Sequence, residues 1–267
     1  MSAPALQLEG LTRRFGGVVA VDNVTLSIPK GEIVGLVGPN GAGKTTLVNL
    51  VTGFVAKTSG RVIFEDRDIS SLPSHEIARS GIARTFQIVQ PFAEMTVLEN
   101  VMAGALFAGH RSSIKEAAER AHHHLAFVGL DRFADYPASD LSLANRKRLE
   151  LAKSLAMEPR LLFLDEVHAG LNSGEINHAL ELVRRIAATG VTIIIIEHLL
   201  RVVLSLVSRL VVLHHGALLS DGPPLEVLND PAVIKAYLGT KFAQRHQDEL
   251  ERQREKYQEQ VERGGAL

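Results

Sequence analysis

The chain has 267 residues, 46% of them hydrophobic and 22% charged, with a formal net charge of −1. That length and apolar content suffice for a sizeable core and exclude intrinsic disorder, while the near-zero charge argues against a broad nucleic-acid-binding face. There is no cysteine, which excludes disulfides, thiolate nucleophiles and cysteine metal sites. The opening MSAPALQLEG lacks the basic region and long apolar core of a signal peptide, and the longest apolar run, 193–196, is far too short to span a bilayer. A soluble chain is expected, with any membrane role reached through a partner.

In chain order, the first third alternates strand signals and turns. Segments 6–8, 18–24 and 25–28 read as strands, and Pro29-Lys30-Gly31 reads as a turn before the apolar strand Ile33-Val34-Gly35-Leu36-Val37. A helix is expected over 45–51, a strand over 59–64 and a helix over 74–81, after which Arg84-Thr85-Phe86-Gln87 returns to strand. Between 93 and 156 the periodicity is mainly helical, as at 97–106 and 114–128, so this block lies between two halves of a core as an inserted subdomain would. Leu161-Leu162-Phe163-Leu164 then follows Pro159 and stops at Asp165-Glu166, the pattern of a strand buried on both faces of a parallel sheet. Sheet and helix alternate again over 161–213, and His214-His215-Gly216 marks a hairpin turn. His122-His123-His124 splay around a predicted helix rather than converge, so no metal site is assigned there, and His168 is given no catalytic role.

Two motifs carry the chemistry. Gly38-Pro39-Asn40-Gly41-Ala42-Gly43-Lys44-Thr45 satisfies every fixed position of G-x-x-x-x-G-K-[ST], with a strand before it and a helix after it. The glycines let successive backbone N–H groups turn inward into an anion nest, and the helix N-terminus adds partial positive charge. Lys44 would reach the β- and γ-phosphates of a nucleotide, Thr45 would ligate Mg²⁺, and Thr46 extends the run. Asp165 sits where a strand-end carboxylate holds Mg²⁺ directly or through water, and Glu166 where a second acid polarises an attacking water. A solvated turn opening with two acids reads the same way.

With these motifs in order, the chain resembles, over nearly its whole length, the ATPase subunit of an ATP-binding cassette (ABC) transporter. The resemblance implies an α/β fold: a P-loop NTPase (RecA-like) core with an N-terminal antiparallel β-subdomain and a helical subdomain inserted at about 90–156. That unit would occupy 1–240, followed by a charged helical extension over 241–267, which lacks the apolar rhythm of a coiled coil and suits a solvated helix. Phe15 lies where an aromatic stacks on adenine, although a phenylalanine at the edge of the core looks the same. Gln87 matches the lid glutamine that contacts Mg²⁺ and the attacking water. Ser142 matches the signature serine that binds the γ-phosphate of ATP on the opposite protomer, and an ordinary helix N-cap would look alike. His198, just past Glu197 at a strand end, resembles the switch histidine on the γ-phosphate. The implied catalytic set is Glu166, His198 and Gln87, with Phe15 and Gly38 through Thr46 on ATP and Thr45, Gln87 and Asp165 on Mg²⁺.

Within that family, Gly81-Ile82-Ala83-Arg84-Thr85-Phe86-Gln87, Phe92 through Asn100, Ala169-Gly170-Leu171-Asn172 and Asp230 through Gly239 resemble ATPase subunits of branched-chain or hydrophobic amino-acid importers. The resemblance implies a peripheral position on the cytoplasmic face of the membrane, bound to permease subunits, with a second ATPase protomer (homodimer or paralogous heterodimer) and indirectly a solute-binding protein. The usual signature is Leu-Ser-x-Gly-Gln, whereas this chain has Leu141-Ser142-Leu143-Ala144-Asn145. The methyl of Ala144 would push the phosphate contact outward, and Asn145 reaches less far than glutamine. Two functions follow: an importer ATPase that hydrolyses ATP by in-line attack of water, or an ATP-gated dimer clamp with weak hydrolysis.

Overall fold

The computed structural model describes residues 4–86, 89–107, 113–166, 169–197 and 203–238. Strands β1 (Leu6–Phe15) and β2 (Val18–Ile28) form a long antiparallel hairpin. With β4 (Ser59–Phe64) and β5 (Arg67–Asp68) they make a four-stranded sheet ordered β2-β1-β4-β5. The sequence suggested two strands in 18–28, but β2 runs as one strand, its register against β1 shifting between Leu8 and Leu11, Leu11 and Arg13, and Arg13 and Arg14. Leu11 pairs with Val24 and Arg13 with Val21, and the extra residue is absorbed at Asn23, whose φ is 48°.

The second sheet has six strands ordered β10-β9-β3-β8-β7-β6. These are β3 (Ile33–Val37), β6 (Ile82–Arg84), β7 (Leu161–Asp165), β8 (Thr192–Ile196), β9 (Arg209–His214) and β10 (Ala217–Gly222). Every pair is parallel except β9 with β10. The strand expected at Arg84 to Gln87 begins earlier and ends at Arg84, because buried Ile82 and Ala83 take the places opposite Leu161 and Leu162.

Alternation along the parallel strands divides the core in two. Leu162, Leu164, Ile193, Ile195, Leu210 and Val212 face one apolar cluster, while Leu161, Phe163, Ile194, Ile196 and Val211 face the other. The second cluster is closed by α1 (Lys44–Val51) and the antiparallel sheet. The first is closed by α3 (Val97–Phe107), α4 (Ile114–Val128), α5 (Leu143–Leu155) and α6 (Ser173–Ala187). Coverage on both faces explains why the strands read as unbroken apolar runs.

Caps set several helix starts. Ser113 with Glu116 and Asn172 with Glu175 form capping boxes at α4 and α6, and Ser142 caps α5. Short helices α2 (Ser74–Arg79), α7 (Pro224–Leu228) and α8 (Pro231–Leu238) and two 3-10 turns, Asp131–Phe133 and Ala138–Asp140, are also described. No helix among the described residues is long and apolar enough to cross a membrane.

Candidate nucleotide site

The phosphate loop joins the end of β3 to the start of α1. Two of its glycines are obligatory. A Cβ at Gly38 would lie 2.2 Å from the Leu213 carbonyl oxygen, and one at Gly43, where φ is 100°, would lie 2.4 Å from that of Ala20. Lys44 is buried, and its Nζ donates to the carbonyls of Gly38 at 2.6 Å and Pro39 at 3.1 Å. Burial pulls its pKa down, and the nearby Glu166 and Asp165 pull it back up. The loop from Asn40 to Thr46, the start of β2 at Val18 to Ala20, and Asp165 and Glu166 from the end of β7 line one cleft of about 430 Å³. Phe15 stands outside this lining, half-exposed at the end of β1, with the Arg13 guanidinium 4.3 Å from its ring centre.

The carboxylate end of β7 is held from several directions. The Asp165 N–H donates to the Thr85 hydroxyl, and Arg84 Nη2 lies 3.4 Å from Asp165 Oδ2. The same guanidinium donates from Nη1 to Asn49 Oδ1 of α1 at 2.6 Å and packs against the rings of Phe54 and Phe86. Both members of the Arg84–Asp165 pair are about nine-tenths buried, with side-chain exposures of 9% and 8%. Burial lowers the Arg84 pKa, opposed by Asp165. The main chain at Arg84 is tied too, since Ser154 of α5 donates to its carbonyl.

Glu166 adopts φ 47°, a left-handed conformation that costs a non-glycine residue about 1–3 kcal/mol. Among the described residues, three main-chain-directed hydrogen bonds hold it there. Its N–H donates to Ile196 O at 2.9 Å, and its carbonyl accepts from the Ala169 N–H at 3.2 Å and from Lys147 Nζ at 2.9 Å.

Ser142, Ala144 and Asn145 lie apart from this cleft, on the first turn of α5. The Ser142 hydroxyl accepts from the Asn145 N–H at 3.3 Å, so the cap reading and the phosphate reading fall on one atom. Ala144 lines a small apolar cavity between α5 and α6, together with Leu164, Leu182 and Val183. Ala144 is half-buried there, on the first turn that also carries Ser142 and Asn145. Gln87 and His198 lie outside the described residues, as do His168 and the 241–267 extension.

Sequence reasoning assigned no role to Arg84, Asn49, Lys147 or Tyr237. The last belongs to α8, where burial pushes its pKa up to about 12, opposed by the nearby Gly38 main chain. One signal was available for Arg84: a cation directly after buried Ile82 and Ala83 must find a partner inside the fold.

A glycine loop between a parallel strand and a helix, facing acids at the end of a strand one place removed in the sheet, defines a P-loop NTPase. The resemblance narrows further. Residues 21–169 match the ABC transporter family, and residues 217–243 match the family described as branched-chain amino acid ATP-binding cassette transporter. The chain belongs to the ABC transporter family. It is 42% identical to the high-affinity branched-chain amino acid transport ATP-binding protein BraF of Pseudomonas aeruginosa, over 90% of this chain and 99% of that one. Its fold is similar to the ADP conformation of MJ1267, an ATP-binding cassette of an ABC transporter, with TM-score 0.80 and 34% identity over 90% of this chain and 100% of that one. The ATP-binding cassette MJ0796, described as a dimer in a post-hydrolysis state with ADP and Pi, is similar at TM-score 0.73 and 26% identity, over 82% of this chain and 98% of that one.

Proposed function

We propose that this chain is the ATP-binding and ATP-hydrolysing subunit of an ABC importer for branched-chain or related hydrophobic amino acids. The observation that carries the reading is the single cleft shared by the phosphate loop and the two strand-end acids. The likeness to BraF supports the solute class, and the dimeric neighbour supports pairing with a second ATPase protomer.

Lys44 and the loop N–H groups bind the β- and γ-phosphates. Glu166, at the cleft's acidic end, orients water for in-line attack: a bond forms from water oxygen to the γ-phosphorus, the bond to the β,γ-bridging oxygen breaks with its electron pair going to ADP, and the water's proton passes by way of Glu166 to the released phosphate. The Thr45 hydroxyl and Asp165 carboxylate, hard oxygen donors in the same cleft, suit Mg²⁺, which when bound neutralises phosphate charge. In this reading Gln87 and His198 complete the water and γ-phosphate contacts, and Phe15 stacks the adenine. Ser142, Ala144 and Asn145 face the partner's nucleotide. The chain sits peripherally at the cytoplasmic face, bound to permease subunits that receive solute from a binding protein, and 1–240 acts as one nucleotide-binding unit.

The test is Glu166→Gln, measured beside the wild type in the permease complex. Hydrolysis should be lost while ATP-dependent dimerisation remains, and leucine uptake by reconstituted vesicles should stop. A wild-type complex with no ATPase activity would sink the enzyme reading. Active hydrolysis unaffected by any hydrophobic amino acid or its binding protein would sink the solute class.

A further inference from the structure

Glu166 faces the cleft from a backbone conformation that glutamate disfavours, so something outside the residue must hold it there. Among the described residues, two hydrogen bonds on its peptide groups are main-chain contacts that any residue would make. The third comes from a side chain on another element: Lys147 Nζ, on the second turn of α5, donates to the Glu166 carbonyl. We propose that Lys147 is a positioning residue for Glu166, gripping its peptide so that the carboxylate stays aimed at the cleft. The proposal rests on the hydrolytic reading above.

The surroundings of Lys147 favour a placed ammonium over a solvated one. Its stem lines the apolar cavity between α5 and α6 with Leu164, Leu171 and Leu182, which fixes where the chain can run. Burial lowers its pKa, and the carboxylates of Glu197 and Glu166 raise it, so the ammonium sits among acids at the edge of the cleft. A cation so desolvated finds in a carbonyl oxygen a geometrically defined partner, and a point charge serves because only one acceptor is involved.

The link has a consequence for two sites at once. Ser142 caps the same helix five residues earlier, where the partner's nucleotide is proposed to bind. A rigid shift of α5 on loading that nucleotide moves Lys147, and with it the peptide of this chain's own Glu166. One helix thereby joins the signature end to the hydrolytic end without passing through the phosphate loop.

Lys147→Met separates positioning from packing, because methionine keeps an apolar stem in the cavity and removes only the ammonium. Lys147→Arg restores a donor. In full-length protein, hydrogen exchange at the Glu166 and Ala169 amides should quicken by roughly tenfold in the methionine variant and less in the arginine variant. The melting temperature should hold or rise. In the permease complex, kcat should fall by about tenfold or more, inside the roughly hundredfold that an ångström of misplacement can cost, with KM for ATP unchanged and partial rescue by arginine. Unchanged exchange at both amides overturns the proposal whether or not the protein hydrolyses ATP. Unchanged kcat in an active wild-type background overturns it too. A wild type without hydrolysis counts against the functional reading alone, and the exchange comparison still decides Lys147.

Discussion

At the phosphate loop, the Lys44 contacts are local, since its Nζ reaches carbonyls five and six residues back, and Gly43 starts the helix that follows, while the Gly216 N–H donates from afar to the Ala42 carbonyl. At the end of β7, Asp165 is held by Thr85 and Arg84, 80 and 81 residues away, and Glu166 by Lys147 and Ile196 from two further elements. The cradle is thus mainly a property of a short backbone segment, while the acidic end exists only once the parallel sheet has brought β6, β7 and β8 together. The difference teaches where sensitivity to distant change should lie. Truncating the Lys44 side chain in the cradle should remove chemistry and leave the fold, whereas substitutions around the acids should affect both.

The largest effect is expected at Lys44. Lys44→Ala should cut hydrolysis by at least the roughly 10²- to 10³-fold typical of losing one preorganised charge-stabilising donor, and should weaken nucleotide binding. Because the glycine nest is backbone, the urea midpoint should barely move. A large stability loss in this variant would break the contrast. Arg84→Met should do the opposite in proportion. Breaking a buried pair costs about 3–5 kcal/mol when the remaining charge has no other partner, and Lys44 near Asp165 offsets part of that, so equilibrium urea unfolding should show a loss at or below the low end of this range. Turnover should fall as well, since Asp165 loses a partner that fixes its orientation. Arg84→Lys should recover only part, because lysine cannot reach Asn49 and Asp165 together or stack on Phe54 and Phe86. Wild-type stability in Arg84→Met would show that the acidic end needs no long-range support.

The same contrast explains what was legible in the sequence. The loop motif, the doubly buried strands at 161–165 and 192–196, and the helix caps are written in adjacent residues, through periodicity, glycine and capping chemistry. Asp165 and Glu166 stood out because acids ended an apolar run. Their partners were illegible, since nothing in 82–86 says that this segment becomes the edge strand beside β7. Reading Arg84 as the start of a strand rather than its last residue hid its role, because from the strand's end its side chain reaches the Asp165 carboxylate, which also closes its strand. Lys147 was hidden differently: helical spacing shows which face it shares, not which carbonyl lies across from it.

The smallest effect is expected at Ala144, which stands where the family signature has glycine and borders an apolar cavity. Read from the signature pattern, the methyl stands between the helix start and the partner's phosphate, so Ala144→Gly should tighten ATP binding. In the fold, Ala144 is half-buried against the cavity it shares with Leu164, Leu182 and Val183. Removing a methyl there forfeits burial worth about 0.8 kcal/mol. Glycine adds a backbone-entropy cost of up to about 1 kcal/mol in a helix, less in a first turn that Ser142 already caps. The melting temperature should therefore drop by a few degrees, at about 2–4 °C per kcal/mol for a domain of this size. Half-saturation for ATP in the hydrolysing complex should stay within about threefold of wild type, because a 1.4 kcal/mol change is needed to move it tenfold. A tenfold gain in affinity with no loss of stability would place the methyl at the dimer seam and make the signature end, like the acidic end, a site whose geometry is set only on assembly.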